Sequence, residues 1–154
     1  MNQIQDGVAL AGRSLLALMF VISGLGKIGA FEDTTLYMAS AGMSLPDPLL
    51  EILLIMTIFV EIGGGAAIII GWKTRQAAVV ILLFTAVVTL LFHRFWAVPP
   101  DQAFAQQLMF MKNLSVMGGL LVLCAFGPGE YALDEPRSYG RRSTDRLAGG
   151  QAGF

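Results

Sequence analysis

Four long stretches of mostly apolar residues divide this chain, and they constrain its fold more than any other feature. They run from 8 to 28, from 49 to 71, from 76 to 95 and from 107 to 126. A helix that crosses a membrane needs about 20 such residues, because the hydrocarbon layer is about 30 Å thick and each residue rises about 1.5 Å. The sequence therefore predicts four transmembrane helices.

Composition agrees with a chain surrounded by lipid. Hydrophobic residues make up 55% of the 154 residues, charged residues make up 14%, and the mean hydropathy is +0.67. The formal net charge of −1 comes without any basic stripe, which argues against a nucleic-acid partner. Cys124 is the single cysteine, so the chain has no dithiol for disulfide exchange. We expect the lipid bilayer as the main partner and no nucleic acid.

The connections between the apolar segments predict how the spans are arranged. Only the tetrapeptide "WKTR" separates the second span from the third, so these two helices must be antiparallel neighbours. The longer connection, residues 29–48, mixes aromatic and polar residues and predicts a short interfacial helix. The expected fold is an all-α, integral membrane four-helix bundle over residues 1–134. Residues 135–154 are polar and predict a disordered cytoplasmic tail.

The positive charges predict the orientation in the membrane. Lys and Arg favour the cytoplasmic side, and the short turn carries Lys73 and Arg75. The tail adds four more arginines: Arg137, Arg141, Arg142 and Arg146. We therefore expect a multi-pass membrane protein with both termini in the cytoplasm.

Ionisable residues within or near the spans are the candidates for special roles. Arg13 lies near the cytoplasmic end of its span, where it can reach Asp134 beyond the fourth span, and we expect a structural ion pair there. Lys27 lies near the opposite rim and is expected to extend toward the interface. His93 ends the third span, and no His or Cys has ligand spacing to it, so no metal site is predicted.

Glu61 and Lys112 lie deeper in the apolar segments and need a stronger explanation. Counted from the outer ends of their spans, their depths differ by only about 5 Å at helical rise. An unpaired charge at that depth would be strongly destabilising. We therefore predict an ion pair between Glu61 and Lys112, assisted by Asn113 or Thr57.

The same half of the bundle is the candidate ligand site. It would contain three cationic or histidine side chains against a single internal carboxylate, and this surplus of donors could receive an anion or a carbonyl group. The predicted ligand-binding residues are Lys27, Glu61, His93, Lys112 and Asn113. No catalytic residue can be assigned.

Several motifs, taken in order, resemble the DoxX family of small bacterial membrane proteins. After Arg13 the chain reads "LLALMFVISGLGKIGAF", then "EIGGGAAIIIGWKTR", "FH", "FMKNLSVMGGLLVL" and finally "GPGEYALD". The resemblance extends from Arg13 to Asp134. It departs from the family pattern at Ala132, where the family ending is similar to "GPGxYSLD" and a serine is usual.

The resemblance implies a protein of the bacterial inner (plasma) membrane with a role in membrane redox chemistry. The family includes small subunits of archaeal quinol oxidase and thiosulfate:quinone oxidoreductase complexes. The implied function is a subunit or assembly partner of a quinone-linked or oxidative-stress complex, with a soluble or membrane oxidoreductase as partner. We expect no intrinsic cofactor, a quinone or lipid-like ligand, and no activity of the chain alone. Two alternatives stay open: a direct catalytic role on thiosulfate or quinone, and a small-solute transporter built as a homo-oligomer.

Overall fold

The computed structural model describes residues 3–134, and this part of the chain is helical without strands. The predicted fold class, an all-α membrane bundle with a short helix after the first span, is confirmed. Four long helices are each apolar and long enough to cross a membrane. The helices are α1 (Gln3–Gly29), α2 (Phe31–Ser40), α3 (Asp47–Ile70), α4 (Thr74–Phe92) and α5 (Pro100–Phe126). The predicted tail, 135–154, lies outside the described residues.

Two helices are longer than the apolar segments from which they were predicted. α1 begins at Gln3 rather than near residue 8, and α5 begins at Pro100 rather than near residue 107. Proline fits the first turn of a helix, because its missing N–H has no intrahelical partner there. Pro48 does the same for α3. Hydropathy detects the part of a helix that lipid can accept, so polar first turns such as "PDQ" escape it.

The four long helices form a ring in the order α1, α3, α4, α5, and the closest packing is between α1 and α3. Glycines make this approach close. A Cβ at Gly65 would lie 3.1 Å from the Ala17 carbonyl oxygen, and one at Gly24 would lie 3.2 Å from the Glu61 Cβ. Small residues at such interfaces let backbones approach in lipid, where packing and polar contacts must drive association. The centre of the ring is filled by Ala17, Phe20, Ile68, Ala78, Ile81, Leu120 and Leu123.

α2 covers the part of α3 that α1 does not reach. Met38 of α2 packs with Leu50 and Leu54 of α3 in a second buried cluster, and Tyr37 stacks on Phe92 with ring centroids 5.8 Å apart. Measured along the bundle axis, α1 therefore does not extend as far as the level at which α3 begins. As a result, the last turn of α1 lies beside the middle of α3.

Large apolar side chains cover the outside of the ring. Leu15, Ile22, Phe59 and Leu83 are each at least 60% exposed. A soluble domain of this size could not leave so many large apolar residues exposed, whereas a lipid-facing surface requires them. The chain is therefore a multi-pass membrane protein.

Candidate functional site

A cavity of about 160 Å³ lies inside the bundle, near the carboxyl ends of α1 and α4. Its lining includes all five residues that the sequence predicted as ligand-binding. Three of the five are charged, and these three come from three different helices. An apolar cavity of about 150 Å³ accommodates a benzene molecule, so the space suits one six-membered ring. Its lining consists of Met19, Phe20, Ser23, Lys27, Glu61, Phe84, Thr85, Val88, His93, Lys112 and Asn113.

A salt bridge between α1 and α3 forms one wall of the cavity. Lys27 Nζ donates to both carboxylate oxygens of Glu61, at 2.9 Å to Oε1 and 2.8 Å to Oε2. Ser23, one turn before Lys27, accepts from Nζ at 2.6 Å and donates to Glu61 Oε1 at 3.1 Å. The Glu61 side chain is 7% exposed and that of Lys27 is 25% exposed. The three groups satisfy a charge pair that lipid could not solvate.

The predicted ion pair between Glu61 and Lys112 is wrong, because Lys27 takes the place of Lys112. α3 and α5 lie diagonally across the ring, with no pair of Cα atoms within 8 Å. Lys112 is instead exposed, and its Nζ lies 3.6 Å from Met109 Sδ one turn earlier on α5. Lys27 does not extend to the interface, because α1 ends beside the middle of α3. The depths counted along the sequence did not identify which helices are neighbours.

α4 and α5 provide the neutral polar wall. Asn113 Nδ2 donates to Thr89 Oγ1 at 2.9 Å, and both side chains are buried. Thr89 Oγ1 in turn donates to the Thr85 carbonyl oxygen at 2.6 Å. His93 Nδ1 lies 2.9 Å from Gln106 Oε1. An amide oxygen only accepts, so Nδ1 is the donor in this hydrogen bond. Asn113 was predicted to assist Glu61 but bonds to Thr89 instead. Thr57, the other predicted assistant, is also not a partner, because the side chains that bond to Glu61 within residues 3–134 are those of Ser23 and Lys27.

The charges around the cavity do not cancel. Lys27 and Glu61 neutralise each other at hydrogen-bond distance, whereas Lys112 has no carboxylate at ion-pair distance among residues 3–134. The site can therefore offer an ammonium group and an amide N–H to an electronegative ligand atom. No group of three His, Cys, Asp or Glu side chains in this described part of the chain could hold a metal ion.

A second polar cluster lies at the opposite end of the bundle, about 21 Å away along α1 at helical rise. Arg13 is buried, and its guanidinium donates to the carbonyl oxygens of Pro128 at 2.6 Å, Ile69 at 3.3 Å and Tyr131. It ties the end of α3 to the segment that follows α5. Arg75 acts similarly on the end of α5, with Nη1 donating to Cys124 O at 2.7 Å.

Asp134 belongs to the same cluster but does not form the predicted direct ion pair with Arg13. Its carboxylate accepts from the backbone amides of Lys73 at 2.6 Å and Thr74 at 2.8 Å, so it caps the first turn of α4. Lys73 has a left-handed backbone with φ of 46°, which this cap helps to hold. Arg13 acts on Asp134 only through its charge. For the Asp134 carboxylate, the two backbone amides are better partners than the Arg13 guanidinium, because they are fixed donors that have no acceptor within their own helix.

The environment of Asp134 changes its acidity. Burial raises the pKa of this carboxyl, but the amide hydrogen bonds from Thr74 and Lys73, together with the charge of Arg13, outweigh burial. The net pKa of Asp134 lies below the usual value for an aspartate. The charged form therefore stabilises this end of the bundle at neutral pH.

Two residues of the cavity region escaped the sequence reasoning. Ser23 links Lys27 to Glu61, and its only signal was its position one helical turn before a lysine. Gln106 binds His93 but precedes the apolar segment that marked the fourth span. Both are neutral side chains, which lipid tolerates without a large penalty, so hydropathy gave no reason to single them out.

The fold and the cavity define a class: small four-span membrane bundles with a charge pair and a polar cavity inside. The comparisons give the particular family. The DoxX family model matches residues 8–94, and the chain belongs to that family. It is similar to the inner membrane protein YqjF of Escherichia coli, with 36% identity over 87% of this chain and 95% of that protein.

Two further relatives extend the comparison. The inner membrane protein YphA of Escherichia coli is 31% identical over 81% of this chain and 86% of its own length. A Surfeit locus protein 4 homolog of Schizosaccharomyces pombe is 32% identical over 83% of this chain, which is 37% of that longer protein. No solved structure matches the chain. The sequence similarity thus covers most of two bacterial membrane proteins and part of a longer eukaryotic protein.

Proposed function

We propose that this protein is a non-catalytic binding subunit of a membrane redox complex, and that its cavity takes the head of a quinone-class lipid. The observation that carries the proposal is the cavity itself, where seven polar side chains from four helix regions face a space the size of one ring. A ring with carbonyl oxygens needs hydrogen-bond donors in an otherwise apolar pocket. Lys112 and Asn113 are the donors available on the α5 side.

Size favours a ring head over a larger molecule. Pockets for drug-sized ligands usually measure about 300–1,000 Å³, several times more than this cavity. A quinone head would fill about 160 Å³ and leave its tail among the lipids. Apolar walls from Met19, Phe84 and Val88 suit the faces of such a ring.

The proposal includes the cellular setting. We place the protein in the plasma membrane with both termini in the cytoplasm, following the positive charges of the turn at Lys73 and Arg75. The cavity would then lie toward the outer leaflet. An oxidoreductase partner would supply the redox centre, since electron transfer needs a cofactor and this role assigns none to the chain itself.

The test compares two variants of neighbouring residues on α4. Val88→Phe adds a ring inside the cavity, whereas Val87→Phe adds the same ring on the lipid-facing surface, where Val87 is 55% exposed. The natural chain and both variants are purified from their own membranes in a mild detergent. Extracted lipids are quantified by mass spectrometry relative to protein.

We expect about one quinone-class molecule per chain for the natural protein and for Val87→Phe, and at least a tenfold loss for Val88→Phe because the space is filled. An equal quinone content in the two variants would contradict the cavity as the site. Native mass spectrometry of the same samples reports whether an oxidoreductase or a second copy of the chain accompanies the protein. Absence of any oxidoreductase under mild conditions would contradict the subunit role.

A further inference from the structure

Lys112 occupies an unusual place, because it lines the cavity and is also exposed at the outside of the bundle. It lies about 18 Å along α5 from Pro100, in the central part of a helix that spans 27 residues. Apolar residues surround it on the surface, with Met109 and Met111 42% and 51% exposed. The cavity therefore reaches the lipid-facing surface at Lys112.

α1 and α5 both line the cavity, and they make the least extensive contact of the neighbouring long helices. They touch at Leu16 and Gly119, where a Cβ on the glycine would lie 3.2 Å from Leu16 Cδ1. Two turns closer to the cavity, the same faces carry Ser23 on α1 and Lys112 on α5, and both residues line the cavity. The two helices are thus joined at one level and separated by the cavity mouth at the next.

The charge at this mouth has no partner of opposite sign among residues 3–134. A lysine in the central part of a membrane helix costs about 3 kcal/mol on insertion scales unless it is paired or hydrated. The sulfur of Met109 is only a weak acceptor.

We infer that the cavity is loaded sideways from the bilayer, between α1 and α5, and that Lys112 at the mouth selects lipophilic molecules whose ring head carries an ionised oxygen. This inference rests on the proposed function and adds the route and the charge of the ligand. The acidic head would lie against the ammonium group, and the tail would remain in the lipid between the two helices. Lys27 cannot perform this selection, because Glu61 already occupies it.

The test measures binding of two probes to the full chain in nanodiscs of neutral lipid. One probe is a decyl-substituted benzoquinone, and the other is the same molecule with an acidic ring hydroxyl that is ionised at neutral pH. We expect the ionised probe to bind about tenfold or more tightly, the usual gain from a hydrogen bond to a charged group. Lys112→Gln should reduce that preference to about threefold or less. Lys73→Gln removes an equal charge far from the cavity and should leave the preference unchanged.

The outcomes separate the inference from the function on which it rests. If neither probe binds, the quinone-binding function fails. If both bind equally, or if the preference survives in Lys112→Gln, the function stands and selection by Lys112 is overturned. A diazirine on the tail of the neutral probe tests the route: labelling of Met109 and Met111 supports it, and labelling of Phe59 on α3 or Val87 on α4 contradicts it.

Discussion

The Lys27–Glu61 bridge makes a sharp prediction, because the sequence and the structure assign Glu61 to different partners. Removing one member of a buried ion pair leaves the other without a partner and costs about 3–5 kcal/mol. We expect Lys27→Gln to cost about 3 kcal/mol, the lower end of that range. Lys27 is 25% exposed and Ser23 still donates to Glu61 after the change, so part of the interaction is kept.

The coupling between the two residues is the quantity that tests the reasoning. Lys27→Gln, Glu61→Gln and the double variant are unfolded reversibly by raising the fraction of dodecyl sulfate in mixed micelles, with helix content followed by circular dichroism. The double variant should be more stable than the added losses predict, by about 2 kcal/mol, because the second change removes the charge that the first left alone.

A second cycle on the same carboxylate is the control. Lys112→Gln combined with Glu61→Gln should give a coupling below about 0.5 kcal/mol, the value typical of residues without a shared contact. The reasoning is refuted if the losses from Lys27 and Glu61 simply add. It is also refuted if Lys112 couples to Glu61 more strongly than Lys27 does.

Two other predictions concern helix approach and the far end of the bundle. Gly24→Ala should destabilise the bundle by about 1–3 kcal/mol, because the added Cβ would lie 2.6 Å from the Ile62 side chain of α3. Gly26→Ala is the control: a Cβ there would have nothing within 4 Å, so the same unfolding measurement should show no destabilisation. For Asp134, whose folded pKa is lowered, the stabilisation is fully present above the usual aspartate pKa and is lost as the pH falls through the lowered value. Asp134→Asn should therefore cost about 1 kcal/mol at neutral pH and flatten the acid limb of a stability profile; an unchanged acid limb would contradict this.

Much of the fold could be predicted from the sequence, because lipid imposes a simple requirement on length and polarity. Four apolar segments predicted four helices, and the tetrapeptide at Trp72 made α3 and α4 antiparallel neighbours. The candidate site was harder, since its residues had to be matched across helices. The count of depth along the sequence matched Glu61 with Lys112, but it contained nothing about the order of helices around the ring.

The order of helices was nevertheless indicated by the glycines. Gly24 and Gly65 are the small residues that allow the closest approach of α1 and α3, and that interface decides which lysine can reach Glu61. The position of Lys27 on α1 is also needed. Lys27 lies one turn beyond Gly24, so its side chain projects over the Glu61 carboxylate. A pairing rule for such bundles should therefore first match small-residue faces and only then match depths.

The two polar ends of the bundle differ in whether their charged groups are engaged by the chain itself or are available to a ligand. At the end with Arg13 and Asp134, the charged groups are engaged by backbone groups of the same chain, at the ends of α3 and α4 and along the segment after α5. Such contacts stabilise helix ends and leave little capacity for a ligand. At the other end, Lys112 stands at the mouth of a ring-sized cavity with a sulfur as its nearest partner. A bundle that needed only stability would gain by replacing Lys112 with leucine, so its cost is best explained by a molecule that binds there.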